Sequence, residues 1–143
     1  MDEFLIPSTT GSGGLAFSNR EPADHTDPIA KFFVRVTERD LSAAAEVYDG
    51  FVPHPGSLFT EMASQWSGWS GELVWESFEN ELILRCTHDR LGHVSIRVEL
   101  RSGPTNEDWR VEATVAVEAG QLESIARRAE SFFGRGPATR LCG

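Results

Sequence analysis

From residue 93 to residue 118 apolar and polar positions alternate with a period of two, and the alternation fails only over residues 102–107. A period of two is the mark of a half-buried strand. His93–Arg101 and residues 108–118 are therefore predicted to pair as an antiparallel hairpin. Setting Leu100, Val98, Ile96 and Val94 against Trp109, Val111, Ala113 and Val115 makes one face apolar. The same register sets Arg101 against Asp108, Glu99 against Arg110 and Arg97 against Glu112 on the other face. Matched apolar pairs and opposed charges suit a sheet with one dry and one wet face. These charges are expected to be structural.

The same pattern extends upstream. Residues 72–78 and 81–87 alternate and are joined at Glu79-Asn80, which pairs Ser77 with Leu82, Trp75 with Leu84 and Leu73 with Cys86. A five-residue loop, 88–92, leads from the second of these into the strand at His93 and keeps the apolar faces together, with Gly92 able to take a positive φ. Nearer the start, residues 3–6 and 15–18 are short strand candidates flanking a Gly/Ser-rich turn. Residues 19–28 are polar, contain two prolines and are expected to be loop. Lys31–Glu38 is rich in β-formers. Residues 41–49 carry alanines that favour helix, but the short Arg39-Asp40 connection favours a strand returning along Lys31–Glu38, and strand is chosen.

Two segments switch to helical spacing. Phe59, Met62, Ala63 and Trp66 share one face of a helix over 58–67, with Ser57 as N-cap and Gly68 as terminator. Leu122, Ile125, Ala126, Ala129, Phe132 and Phe133 make a helix over 120–133 that ends at Gly134. The predicted fold is a two-layer α+β domain. It is a mainly antiparallel meander with both helices packed on one face, spanning residues 1–134 as one globular unit, with 135–143 as a flexible tail.

Composition narrows the function classes. At 143 residues, with nine Phe and four Trp, the chain can build a core. No apolar run approaches the ~20 residues that would cross a bilayer, and the first ten residues lack a signal-peptide pattern. Two cysteines make no disulfide framework: Cys86 reads as a small core residue and Cys142 as part of the tail. A cytoplasmic location follows as an expectation. The net charge is −9, with twelve Arg and one Lys, which argues against nucleic acid and anionic membrane as partners. It suits a basic protein partner.

Candidate chemistry is sparse. His88, Asp89 and His93 are the only metal-like cluster, but the alternation turns the two imidazoles to opposite faces, and zinc would require further ligands. His25 and His54 stand alone in proline-containing loops. No nucleophile elbow, phosphate loop or dinucleotide motif is present, and the many carboxylates are matched to arginines on a wet face. No catalytic residue, metal or cofactor is assigned. Trp66, Trp75 and Trp109 read as core. Trp69, between two Ser-Gly pairs, reads as a cap over the sheet or as part of an interaction surface with His88, Asp89 and His93.

Three stretches taken together resemble a known family. They are Trp66-Ser67-Gly68-Trp69-Ser70-Gly71 continuing to Trp75-Glu76-Ser77, Asp89-Arg90-Leu91-Gly92-His93-Val94, and Glu118-Ala119-Gly120-Gln121-Leu122. The set is similar to a family of small actinobacterial domains of unknown function, over about residues 4–133. The resemblance implies no reaction and no catalytic residues. Its size, acidity and two-layer build are also similar to those of immunity proteins that neutralise bacterial toxins, by architecture alone. The expected function is a non-enzymatic protein-interaction domain, immunity-like, that binds through an acidic surface as a monomer or homodimer. The alternative is a small-molecule binder or enzyme with a pocket between sheet and helices near Trp69, His88 and His93.

Overall fold

The computed structural model describes residues 3–11, 13–50 and 52–134. Their elements are β1 (Glu3–Pro7), β2 (Gly14–Glu21), β3 (Lys31–Glu38), β4 (Leu41–Tyr48), α1 (Gly56–Ser64), β5 (Leu73–Glu76), β6 (Leu82–His88), β7 (His93–Arg101), β8 (Arg110–Glu118), a 3-10 turn (Ala119–Gln121) and α2 (Leu122–Phe133). The α+β class is as expected, and the meander divides in two. Strands β1 to β4 form one antiparallel sheet and β5 to β8 another, each in sequence order. The two helices pack on each other, α2 also on β1 and α1 on β5. Hydrogen bonds tie the two sheets together at Ala116, where Thr9 N donates to Ala116 O (2.8 Å) and Ala116 N donates to Ser8 Oγ (3.1 Å).

Apolar residues at alternate positions of the strands meet the apolar stripe of α2 in one continuous cluster. Its centre is aromatic. Phe17 lies within 5.3 to 6.5 Å, ring centre to ring centre, of Phe4, Phe32, Phe59, Phe132 and Phe133. Cys86 is fully buried, as its alternation requires, and burial pushes its thiol up to about 12, so it is inert at neutral pH. Residues 41–48 are a strand: Lys31 pairs with Tyr48 and Glu38 with Leu41, and Asp40 takes φ 60° in the connection.

Gly13 shows how close two backbones come at the start of β2. A Cβ there would stand 2.0 Å from the Thr37 carbonyl oxygen, a rigid backbone atom. Gly13→Ala is therefore expected to part β2 from β3 and lower the melting temperature by several degrees. A thermal melt of the variant that overlays the parent would refute this.

Five local expectations need correction. The β7–β8 hairpin is displaced by two residues: Ile96 faces Val115, Glu99 faces Glu112, Arg101 faces Arg110, and Arg97 faces Thr114. The cause lies in the loop. The Asp108 carboxylate accepts from Thr105 N and Oγ1 (both 2.8 Å) and from Ser102 Oγ (3.1 Å), so Asp108 shapes the turn and Ser102 pairs with Trp109. A two-residue step preserves both faces, so the apolar pattern cannot detect it. Opposite charges still meet, diagonally or along one strand: Arg110 Nε lies 3.3 Å from Glu99, Arg101 Nη2 3.1 Å from Glu99, and Arg97 Nη2 3.4 Å from Glu72. The β6–β7 turn likewise occupies 89–92, because β6 runs through His88, which pairs with Val94. Helix α1 begins at Gly56 with no side-chain cap; Ser57 Oγ donates to the His54 carbonyl instead. That helix ends at Ser64, which leaves Trp66 outside it and 63% exposed, and Trp109 at the hairpin end is also exposed.

Candidate interaction surface

The β6–β7 turn is built by one aspartate. Asp89 Oδ1 accepts from Leu91 N (2.7 Å) and His93 N (3.0 Å), while Oδ2 lies 2.7 Å from His93 Nδ1. Arg90 takes φ 64° and Gly92 φ 98°, which tightens the turn and pushes Leu91 to its tip, 80% exposed. A side-chain-to-backbone turn of this kind needs Asp or Asn at its first position.

Neighbouring segments hold the turn in place. His88 Nδ1 accepts from Arg90 N (2.7 Å), so the neutral ring carries its proton on Nε2 and donates it to the Trp66 carbonyl (2.8 Å). Arg90 Nη2 donates to Ser70 Oγ (2.8 Å), and Ala119 N donates to the Gly92 carbonyl (2.8 Å). The α1–β5 loop, the β6–β7 turn and the entry to α2 thus form one pinned unit. Beside it runs a groove of about 520 Å³ lined by Ala63, Ser64, Trp66, Ala119, Gly120 and Glu123.

The four residues singled out from the sequence divide here. Asp89 and His93 form an exposed pair, His88 a half-buried strut. Trp69 is 5% exposed: it caps the second sheet, donates from Nε1 to the Cys86 carbonyl (3.0 Å) and meets the His88 ring edge-on at 5.1 Å. It supports the surface from beneath. The exposed aromatic is Trp66, which helical spacing had assigned to the core. Among the described residues no cluster of three or more His, Cys, Asp or Glu could hold a metal ion, and no helix is long and apolar enough to cross a membrane.

The electrostatics of the turn can be read by titration. Hydrogen bonds from the Leu91 amide, then from His93, hold the Asp89 carboxyl down at about 2, and the Asp89 hydrogen bond raises His93 above its ordinary value. A raised histidine stabilises fully below its unfolded value, roughly 6.5, and that contribution is lost as pH rises through the folded value. A lowered aspartate contributes above its unfolded value, roughly 3.9, and loses it as pH falls towards 2. The turn should be firmest between those limits. An NMR titration of the His93 ring should give a midpoint above 6.5 that falls back in Asp89→Asn; an unmoved midpoint would mean the pair does not form.

A second polar cluster went unseen in the sequence. Arg20 Nη1 donates to both carboxylate oxygens of Asp49 (2.8 and 2.9 Å), and Arg20 Nε donates to the Phe133 carbonyl (3.3 Å) at the C-terminus of α2. The side chains of Arg20 and Asp49 are 10% and 1% exposed. His54 stacks parallel on Phe133 at 5.3 Å, so it is not alone in its loop. The signal that could have revealed this is Asn19. It takes φ 54°, and the β2–β3 register shifts by one residue between Ser18 and Glu21. Such a bulge reverses the alternation and turns Arg20 to the face that Leu15 and Phe17 occupy.

Comparison with known proteins matches residues 6–136 to the model of a family of unknown function (DUF6228). No curated protein and no solved structure matches the chain.

Proposed function

This chain belongs to that family of unknown function, and for it we propose a non-enzymatic role as a protein-interaction domain, with its docking surface at the pinned unit around Trp66 and Leu91. The observation that carries the reading is the exposure of two large apolar side chains on loops that seven hydrogen bonds hold in place. Rigid presentation lowers the ordering cost of binding, and exposed tryptophans are frequent interface anchors. Asp89 and His93 form the polar rim.

The partner that suits this surface is a basic polypeptide segment carrying one large apolar side chain. The groove beside Trp66 has room for such a side chain, Glu123 lines it, and the chain's net charge of −9 steers cations towards it. Neutralisation of a basic toxin, in the manner of immunity proteins, is one role of this kind.

The test is selection from a displayed peptide library against the full chain. Basic peptides with a single aromatic or aliphatic anchor should be enriched, and their affinity should fall with salt. Trp66→Ala should weaken the best of them by ~30-fold, the equivalent of ~2 kcal/mol at an interface anchor. Enrichment of acidic peptides, or equal binding to a folded Trp66→Ala variant, would overturn the assignment.

A further inference from the structure

We propose that the cavity beside Arg20, Asp49 and His54 is a binding site for a small organic carboxylate, independent of the docking surface at Trp66. The cavity measures about 270 Å³. Its walls include Pro22, Ala23, Ala30, Val52 and Pro53, and Phe133 lies at its base beside Arg20 and His54.

The donors facing this space are what select the ligand. Two of the three Arg20 nitrogens are used within the fold: Nη1 on Asp49, Nε on the Phe133 carbonyl. Among the described residues Nη2 has no hydrogen-bond partner, although nine-tenths of the side chain is buried. His54 is fixed in the same way. Its Nδ1 accepts from Gly56 N (3.1 Å), so the proton of the neutral ring is on Nε2, again with no partner among the described residues. Asp49 also lines the cavity, but its side chain is 1% exposed and both carboxylate oxygens are taken up by Arg20 Nη1. The cavity therefore offers N–H donors and apolar walls, the complement of an oxygen acceptor on a short hydrocarbon body.

Two features argue that Arg20 is placed for use. A buried ion pair is a poor source of stability, since apolar replacements of similar volume are often neutral or better. The chain nonetheless uses an Asn in the left-handed region and a strand bulge to turn this one guanidinium inward. Bulges that re-aim a side chain concentrate beside binding sites.

Charge sets the proton balance. Asp49 neutralises Arg20, so the site is neutral while His54 is neutral. Burial first, and Arg20 second, lower His54 from its ordinary value; Asp49 and Glu130 act in the opposite direction. A bound carboxylate adds one negative charge beside the ring. It favours the imidazolium, so one proton is taken up with the ligand and affinity rises as pH falls towards the His54 midpoint.

The experiment is a titration of the full chain with sodium isovalerate and sodium benzoate, followed by the ring NMR signals of His54, with isovaleramide and benzamide as neutral controls. The proposal expects saturable His54 shifts at millimolar carboxylate, an upward move of the His54 midpoint, no change at His93, and amides at least tenfold weaker. Arg20→Lys should lose binding. Because that variant can also unfold, Ala23→Trp serves as a second: it fills the mouth of the cavity, leaves the ion pair intact, and should abolish the shifts in a protein of unchanged melting temperature. Absence of saturation with both acids, equal binding of the amides, or undiminished binding to folded Ala23→Trp would each overturn the assignment.

Discussion

Phe17→Ala is expected to destabilise the protein by about 4 kcal/mol, within the range for deleting a buried phenyl ring. Phe17 is fully buried and touches rings from β1, β3, α1 and α2, so no single neighbour can collapse into the void. The loss combines the transfer term for the ring with the cavity it leaves. Phe17→Leu, which keeps most of the volume, should cost less than half as much. Chemical denaturation should show the midpoint falling with little change in slope. A loss near 1 kcal/mol for the alanine variant would mean that the helices reclose over the site and the aromatic centre is looser than its ring distances indicate.

The second large effect lies at the ion pair. Asp49→Asn removes the charge that balances Arg20 without changing the volume, and leaves a buried guanidinium facing an amide. Breaking a buried pair from one side costs roughly 3–5 kcal/mol. The sequel distinguishes the pair's two possible duties. A double replacement, Arg20→Met with Asp49→Leu, should recover most of that stability, because apolar groups of similar size satisfy the space. It should also end any carboxylate binding. A double variant as unstable as Asp49→Asn would show that the cap which Arg20 Nε places on the Phe133 carbonyl is what the fold requires.

Much of this architecture was legible from alternation. The pairings Leu73 with Cys86 and Trp75 with Leu84, the faces of β7 and β8, and the stripe of α2 follow from periods of two and 3.6. What alternation cannot resolve is a shift by an even number of residues, and the hairpin slipped by two because Asp108 bonds to its own loop. Trp66 was misplaced for a different reason. Helical spacing continues past Ser64, but the chain leaves the helix there and the Trp66 carbonyl is taken by His88, a contact 22 residues distant. The Arg20 cluster draws on four separate segments. Its components, an Arg after a strand, an Asp, and a His between prolines, carry no spacing signal; only the bulge at Asn19 unites them.

The order of the strands has a kinetic consequence. Every ladder in either sheet closes over a short stretch of chain, so each half can zip from its own turns with little loop-closure cost. Docking of the halves, through the helix pair and the Ser8–Thr9 to Ala116 seam, is then a late event that follows the transition state. Substitutions at that seam, such as Ser8→Ala, should accelerate unfolding while leaving the refolding rate nearly unchanged.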